Sequence, residues 1–239
     1  MRVLVTRPTN DALDTAAKLS ARGHEPLVAP LLEIRFRKGP RISLAGVQAV
    51  LATSSNGVHA LAARVKTRDA AVFAVGPQTA EAARAEGFSV VKNAGGDGHA
   101  LVEAAARWAV PHGGTLLHAA GAETQGYVAA DLQARGFEVA SVTLYDAVAV
   151  EKLPEVARDA LQEGTLDAAL YYSPRSARVF ADCVRKAELG DRCGRVVACC
   201  ISRGTADALA PLAFQAVRVA SHPDGEAIIA LLTPADRRI

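Results

Sequence analysis

Ala49-Val50-Leu51-Ala52, Thr53-Ser54-Ser55-Asn56-Gly57 and Val58-His59-Ala60-Leu61-Ala62-Ala63 follow one another without a break, and their reading decides the fold. The first four residues form a continuous apolar run, as a strand buried on both faces requires. The next five are small and polar and end in glycine, the composition of a turn. The last six carry apolar residues at helical spacing. A buried strand, a polar turn and a helix in succession make the repeating unit of a parallel α/β sheet.

The same alternation extends outward in both directions. Strands are expected at Val3–Thr6, Ala49–Ala52, Ala71–Val75, Thr115–Ala119, Ala168–Tyr172, Val196–Ile201 and Ala216–Val219. Helices are expected at Asp11–Ala21, Val58–Ala63, Thr79–Ala85, Leu101–Trp108, Thr124–Ala134, Ala177–Lys186 and Thr205–Leu212. The fold class is α/β, with parallel sheets flanked by helices.

The chain also repeats itself. Leu19-Ser20-Ala21-Arg22-Gly23-His24-Glu25 returns as Leu132-Gln133-Ala134-Arg135-Gly136-Phe137-Glu138. Val50-Leu51-Ala52-Thr53-Ser54 returns as Ala169-Leu170-Tyr171-Tyr172-Ser173, and Val75-Gly76-Pro77-Gln78-Thr79-Ala80 as Ile201-Ser202-Arg203-Gly204-Thr205-Ala206. The order is kept while the spacing grows slowly, as duplication followed by loop insertions would leave it. Two similar α/β units with a cleft between them are therefore expected. Ile34–Arg37 and Val142–Val148 alternate in character and suit either a two-stranded hinge or two ordinary edge strands.

Composition narrows the partners. The chain has 239 residues, 50% of them hydrophobic, and a formal net charge of +2, which gives no bulk attraction to nucleic acid or anionic lipid. Aromatic residues are 5% of the total, too few for base-stacking platforms. No apolar stretch reaches the ~20 residues of a membrane span. Arg2-Val3-Leu4-Val5-Thr6 reads as a first strand rather than a signal peptide, so a cytoplasmic protein is expected. Cys183, Cys193, Cys199 and Cys200 form no CxxC pair and are expected as buried free thiols. The six histidines lack metal-ligand spacing and are expected at the surface or in loops; no metal is expected.

The turn Thr6-Arg7-Pro8-Thr9-Asn10-Asp11 has no glycine, so a dinucleotide fingerprint is absent there. Neither GxxxxGK[ST] nor GxSxG occurs, which disfavours ATP and triad chemistry. What remains is a set of strand-to-helix turns rich in Ser, Thr, Gly and Asn. They hold Arg7, Ser54, Ser55, Asn56, Gly76, Thr79, Ser173, Pro174, Ser176, Ser202 and Thr205, with a further turn at Ala120-Gly121-Ala122-Glu123-Thr124. Such turns lie at the carboxyl ends of parallel strands, where helix N–H groups accept anions. The expected ligand is large, flexible and polyanionic. Plain N-capping would favour the same residues. Tyr145, in the second connecting segment, is either a half-buried strand tyrosine or a phenol that donates a proton to a leaving oxygen.

Thr6-Arg7-Pro8, Gly23-His24-Glu25-Pro26, Pro30-Leu31-Leu32-Glu33-Ile34, Thr53-Ser54-Ser55-Asn56-Gly57-Val58, Val75-Gly76-Pro77-Gln78-Thr79-Ala80, Leu144-Tyr145 and Tyr172-Ser173-Pro174 together resemble the uroporphyrinogen-III synthase family. The resemblance runs from Met1 to about Leu232. It implies two flavodoxin-like domains: residues 1–34 with 150–239, and residues 41–141, joined by a two-stranded hinge of 35–40 and 142–149. It implies conversion of the linear tetrapyrrole hydroxymethylbilane to uroporphyrinogen III, with inversion of the last ring and loss of water, in heme biosynthesis. No cofactor, no metal and a monomer are implied with it. Tyr145 matches the family's tyrosine beside the leaving hydroxyl, Ser54, Thr79, Ser173 and Thr205 its hydroxyl-bearing turns, and Gly76 a position presenting backbone N–H groups. Ser202 stands where the family often has glycine, and an arginine often found just downstream of Ala120–Gln125 is missing. The other expectation left open is a non-catalytic two-lobed protein that binds tetrapyrroles or another polyanion.

Overall fold

The computed structural model describes residues 1–123 and 126–233. The chain begins with β1 (Arg2–Val5), α1 (Thr9–Ala21), β2 (Glu25–Val28) and β3 (Leu32–Phe36). There follow β4 (Val47–Ala52), α2 (Ser55–Ala62), β5 (Ala71–Ala74), α3 (Pro77–Ala85), β6 (Val91–Asn93) and α4 (Gly98–Trp108). Next come β7 (Thr115–Gly121), α5 (Tyr127–Ala134), β8 (Val139–Ala149), α6 (Glu155–Gln162) and β9 (Ala168–Tyr171). The last elements are α7 (Pro174–Lys186), a 3-10 turn at Gly190–Arg195, β10 (Val197–Cys200), α8 (Arg203–Asp207), β11 (Ala216–Val219) and α9 (Gly225–Ile229).

By contacts the chain separates into two compact units, Met1–Glu33 with Val148–Ile239, and Ile34–Ala147. The first holds a sheet of order β2-β1-β9-β10-β11, in which every neighbouring pair is parallel. Its inner strands β9 (Ala-Ala-Leu-Tyr) and β10 (Val-Ala-Cys-Cys) are buried along their whole length, while the edge strand β11 is not. Parallel strands covered by helices on both faces require such continuous apolar sequence. The second unit holds a sheet of order β3-β8-β7-β4-β5-β6, parallel from β8 to β6.

Each sequence repeat corresponds to a local device. Gly23 (φ 74°) and Gly136 (φ 85°) end α1 and α5 in the left-handed conformation. The residue after each glycine donates back to the buried leucine five positions earlier, His24 to Leu19 and Phe137 to Leu132, both at 3.1 Å. This is a Schellman close, which explains why Leu-x-Ala-Arg-Gly recurs. Ser54 and Ser173 start α2 and α7 with φ −159° in both and ψ of 156° and 152°. Gly76 and Ser202 start α3 and α8 with φ −153° in both.

The two copies are exchanged between the units. Placing β7-α5-β8 on β1-α1-β2, and β4, β5, β6 on β9, β10, β11, makes the two sheet orders the same apart from the extra edge strand β3. Each unit therefore joins the leading strand-helix-strand of one copy to the trailing three strands of the other.

Three expectations need amendment. The helix expected over Thr205–Leu212 stops at Asp207, ahead of Pro211, which cannot extend a helical hydrogen-bond ladder. The first two residues of the helix expected at Thr124–Ala134 lie outside the described residues, and α5 begins at Tyr127. The histidines are not all at the surface: His118 lies in the inner strand β7 and is 2% exposed. All four cysteines are buried and free, and burial pushes the Cys193 thiol up to about 11 and the Cys200 thiol up to about 12.

Candidate active site

In the second unit three neighbouring strands, β8, β7 and β4, place Tyr145, Gly121 and Ser54 in a row. Gly121, the last residue of β7, is paired with Tyr145 of β8. Ala119 is paired with Ala52 of β4, which brings Gly121 level with Ser54 two residues on. Tyr145 and Ser54 are thus two strand spacings apart, roughly 10 Å. The tyrosine spans that distance across the glycine, and its Oη lies 2.9 Å from Ser54 Oγ. A Cβ at residue 121 would stand 2.6 Å from Tyr145 Cζ, so the crossing exists because residue 121 has no side chain.

Backbone contacts fix the tyrosine's own strand on both sides. The Tyr145 carbonyl accepts from Ala122 N at 2.9 Å, and Leu144 O accepts from Arg37 N at 2.8 Å. The Arg37 guanidinium then forks onto the Asp146 carboxylate at 2.9 and 2.7 Å. That hydrogen-bonded charge holds the Asp146 carboxyl below its ordinary range.

Ser54 is also the N-cap of α2, its Oγ accepting from Gly57 N at 3.1 Å. Ser55 and Asn56 form the buried first turn of that helix. A Cβ on Gly57 would stand 2.5 Å from the Ala119 carbonyl oxygen, so this glycine seats α2 against β7. Beneath the turn, His118 Nε2 lies 3.5 Å from Thr53 Oγ1. Burial pushes the His118 imidazole down, which favours its neutral form. Along the same sheet edge Gly76 starts α3 with Pro77 in the first turn and no side-chain cap, and Thr79 is buried.

The turns of the first unit have the same backbone but different partners. Ser173 Oγ accepts from Ser176 N at 3.1 Å and lies 2.9 Å from Ser176 Oγ, with Pro174 opening the helix. Ser202 Oγ accepts from Thr205 N at 3.3 Å and lies 3.0 Å from Oγ1 of the fully buried Thr205. A serine at 202 thus supplies the cap that Gly76 leaves to other groups. Arg7 sits 3.3 Å from the buried Asp11 carboxylate and 4.4 Å above the centre of the Tyr172 ring, so its charge is already shared.

The structure brings Ser54 and Tyr145 into contact, and leaves Gly76 with Thr79, Ser173 with Ser176, and Ser202 with Thr205 as separate turns. Gly57 and Gly121, expected only as members of ligand-binding turns, and His118, expected at the surface or in a loop, are the local contributors whose packing roles the sequence does not show. A glycine closing an apolar strand, as at Gly121, was the one available signal. Among the described residues no group of three or more His, Cys, Asp or Glu side chains is gathered as a metal site would need. Nor is any described helix long and apolar enough to cross a membrane.

The comparisons with known proteins bear on the whole chain. The family model described as uroporphyrinogen-III synthase HemD matches residues 14–230. Among solved structures, uroporphyrinogen-III synthetase from Helicobacter pylori is 16% identical, covers 97% of this chain and 98% of its own, and has a TM-score of 0.63. A mutant uroporphyrinogen III synthase from Thermus thermophilus is 20% identical with 97% of each chain covered and a TM-score of 0.49. No curated protein matches the sequence. At such identities the Helicobacter structure speaks for the shared two-sheet α/β fold alone, whereas the family match covers most of the sequence. The chain belongs to the uroporphyrinogen-III synthase family.

Proposed function

We propose that the protein cyclises hydroxymethylbilane to uroporphyrinogen III, with inversion of the last ring and loss of water. The observation that carries this reading is the family match over residues 14–230. The reaction is a lyase reaction run without a cofactor, because it needs one proton donor and control of the chain's conformation. The protein works as a cytoplasmic monomer.

Tyr145 is the proton donor. Its phenol gives a proton to the hydroxymethyl oxygen, the carbon–oxygen bond breaks, and water leaves behind an azafulvenium cation. The last ring attacks through its substituted carbon, and the resulting spiro intermediate fragments and rejoins inverted. The phenolate recovers a proton when the final cationic intermediate loses hydrogen, so the enzyme is unchanged. Support for this role comes from the phenol's place at the carboxyl edge of the sheet, held by Ser54 and backed by Gly121. A positioned acid of this kind contributes about 10²- to 10⁴-fold.

The acetate and propionate groups of the substrate are held by the strand-to-helix turns. The residues proposed for this are Arg7, Ser54, Ser55, Asn56, Gly76, Thr79, Ser173, Pro174, Ser176, Ser202 and Thr205. These turns begin helices whose first N–H groups favour carboxylates. Fixing a flexible chain by several carboxylates supplies the orientation that inverted closure demands.

The test is the isomer formed from hydroxymethylbilane generated in situ. The reading predicts type III uroporphyrinogen in excess. Type I product at the uncatalysed rate would contradict it.

A further inference from the structure

Among the described residues three serine N-caps share closely similar backbones, and one of them differs in where its hydroxyl proton can go. Ser173 and Ser202 each face a hydroxyl three residues on, Ser176 Oγ at 2.9 Å and Thr205 Oγ1 at 3.0 Å. Ser54 has Gly57 at that place, and the Ala119 carbonyl leaves no room for a side chain there. Its hydroxyl meets Tyr145 Oη instead, at 2.9 Å. The lone pair of Ser54 that faces the helix is taken by Gly57 N–H. A hydroxyl that accepts from an N–H becomes a better donor through its own O–H, which favours Ser54 as the donor of the two hydroxyls.

We infer that Ser54 is a positioning residue for Tyr145: it donates to the phenol oxygen, leaving the single phenol proton to point at the substrate. The inference rests on the reading of Tyr145 as the proton donor. Ser54 does not touch the reacting atoms. As the proton passes from Tyr145 Oη to the leaving hydroxyl, the Ser54 O–H stays in place and stabilises the phenolate that forms. In the opposite orientation Tyr145 would spend its only proton on Ser54 and have none to give. The duplication thus left a capping serine in both units, and one of them took up a second task because its neighbour at i+3 is glycine.

The experiment is a kinetic double-mutant cycle on the full chain, with type III formation from in situ hydroxymethylbilane as readout. Ser54→Ala is expected to lower kcat about 10- to 100-fold, the cost of misplacing a catalytic group. In a Tyr145→Phe background the same change should lower kcat no further, since Ser54 then has no phenol to orient. Two variants separate this role from helix capping. Ser54→Thr keeps cap and donor and should restore most of kcat. Ser54→Asp keeps the cap but offers only acceptors to the phenol, and should fold yet remain slow. Multiplicative losses in the cycle, or a Ser54→Asp variant as fast as Ser54→Thr, would overturn the inference. If Tyr145→Phe turns over at the wild-type rate, the assignment of Tyr145 falls and takes the inference with it. If Tyr145→Phe is slow while Ser54→Ala keeps its kcat, only the role of Ser54 falls.

Discussion

Gly121 and Tyr145 are paired across adjacent strands, and a Cβ on the first would stand 2.6 Å from Cζ of the second. The tyrosine ring therefore occupies the space that any side chain at 121 would fill. The obstructed group is the far part of a rotatable side chain, so an alanine can be accommodated by swinging the ring away. Gly121→Ala should then fold with a melting temperature near that of the wild type but lose about 10- to 100-fold in kcat, the penalty for a displaced catalytic group. Thermal melts with steady-state rates check this, and an unchanged kcat would show that the ring's present position is not needed.

Gly76 and Ser202 share φ −153°, yet only Ser202 caps its helix with its own hydroxyl. No side chain of the described residues caps α3, and the nearest atom to a Cβ at residue 76 would be Gly96 O at 3.9 Å. Gly76→Ser should fit and bond its hydroxyl to the N–H of Thr79, in competition with a substrate carboxylate. A hydrogen bond to a charged group is worth about 1.5 kcal/mol or more, so KM should rise about tenfold with kcat unchanged. A KM like that of the wild type would remove the α3 start from the binding set.

Much of the fold could be read from the chain because its inner strands are short apolar runs between turn residues. Elements the reading did not expect are β2, β6, α6 and α9, and the first and third can be accounted for locally. β2 contains Pro26, which argues against a strand, but β2 is the edge of its sheet, where the missing N–H costs little. α6 follows Pro154 and buries Ala157, Ala160 and Leu161 at helical spacing, a pattern the sequence carries and the strand-helix reading left unused. At the site, the turns were legible as Ser-, Thr- and Gly-rich connections. The contact of Ser54 with Tyr145 was not, because it joins residues 91 apart through the register of three strands. Gly57 and Gly121 looked like ordinary turn glycines, since the groups they make room for, Ala119 O and the Tyr145 ring, come from distant sequence.

His118 gives stability a pH dependence with a definite sign. Burial lowers its folded pKa, while in the unfolded chain it takes a proton near pH 6.5. Below that value the unfolded state binds more protons, so stability falls as pH drops from about 6.5 toward the lower folded value. Above about 6.5 the residue is neutral in both states and adds no slope. His118→Leu should shrink the loss of urea midpoint between pH 7.5 and pH 5 relative to the wild type. Equal losses in the two proteins would mean that the imidazole is protonated as readily folded as unfolded.

In the proposed reaction the Tyr145 phenol delivers the proton that releases water from the linear tetrapyrrole. The most direct test of this step is the rate and isomer composition of product from Tyr145→Phe, which keeps the ring over Gly121 and removes only the hydroxyl. The account predicts a kcat lower by about 10²- to 10⁴-fold, substrate affinity close to that of the wild type, and product dominated by the type I isomer of uncatalysed closure. Type III product at the wild-type rate would contradict it.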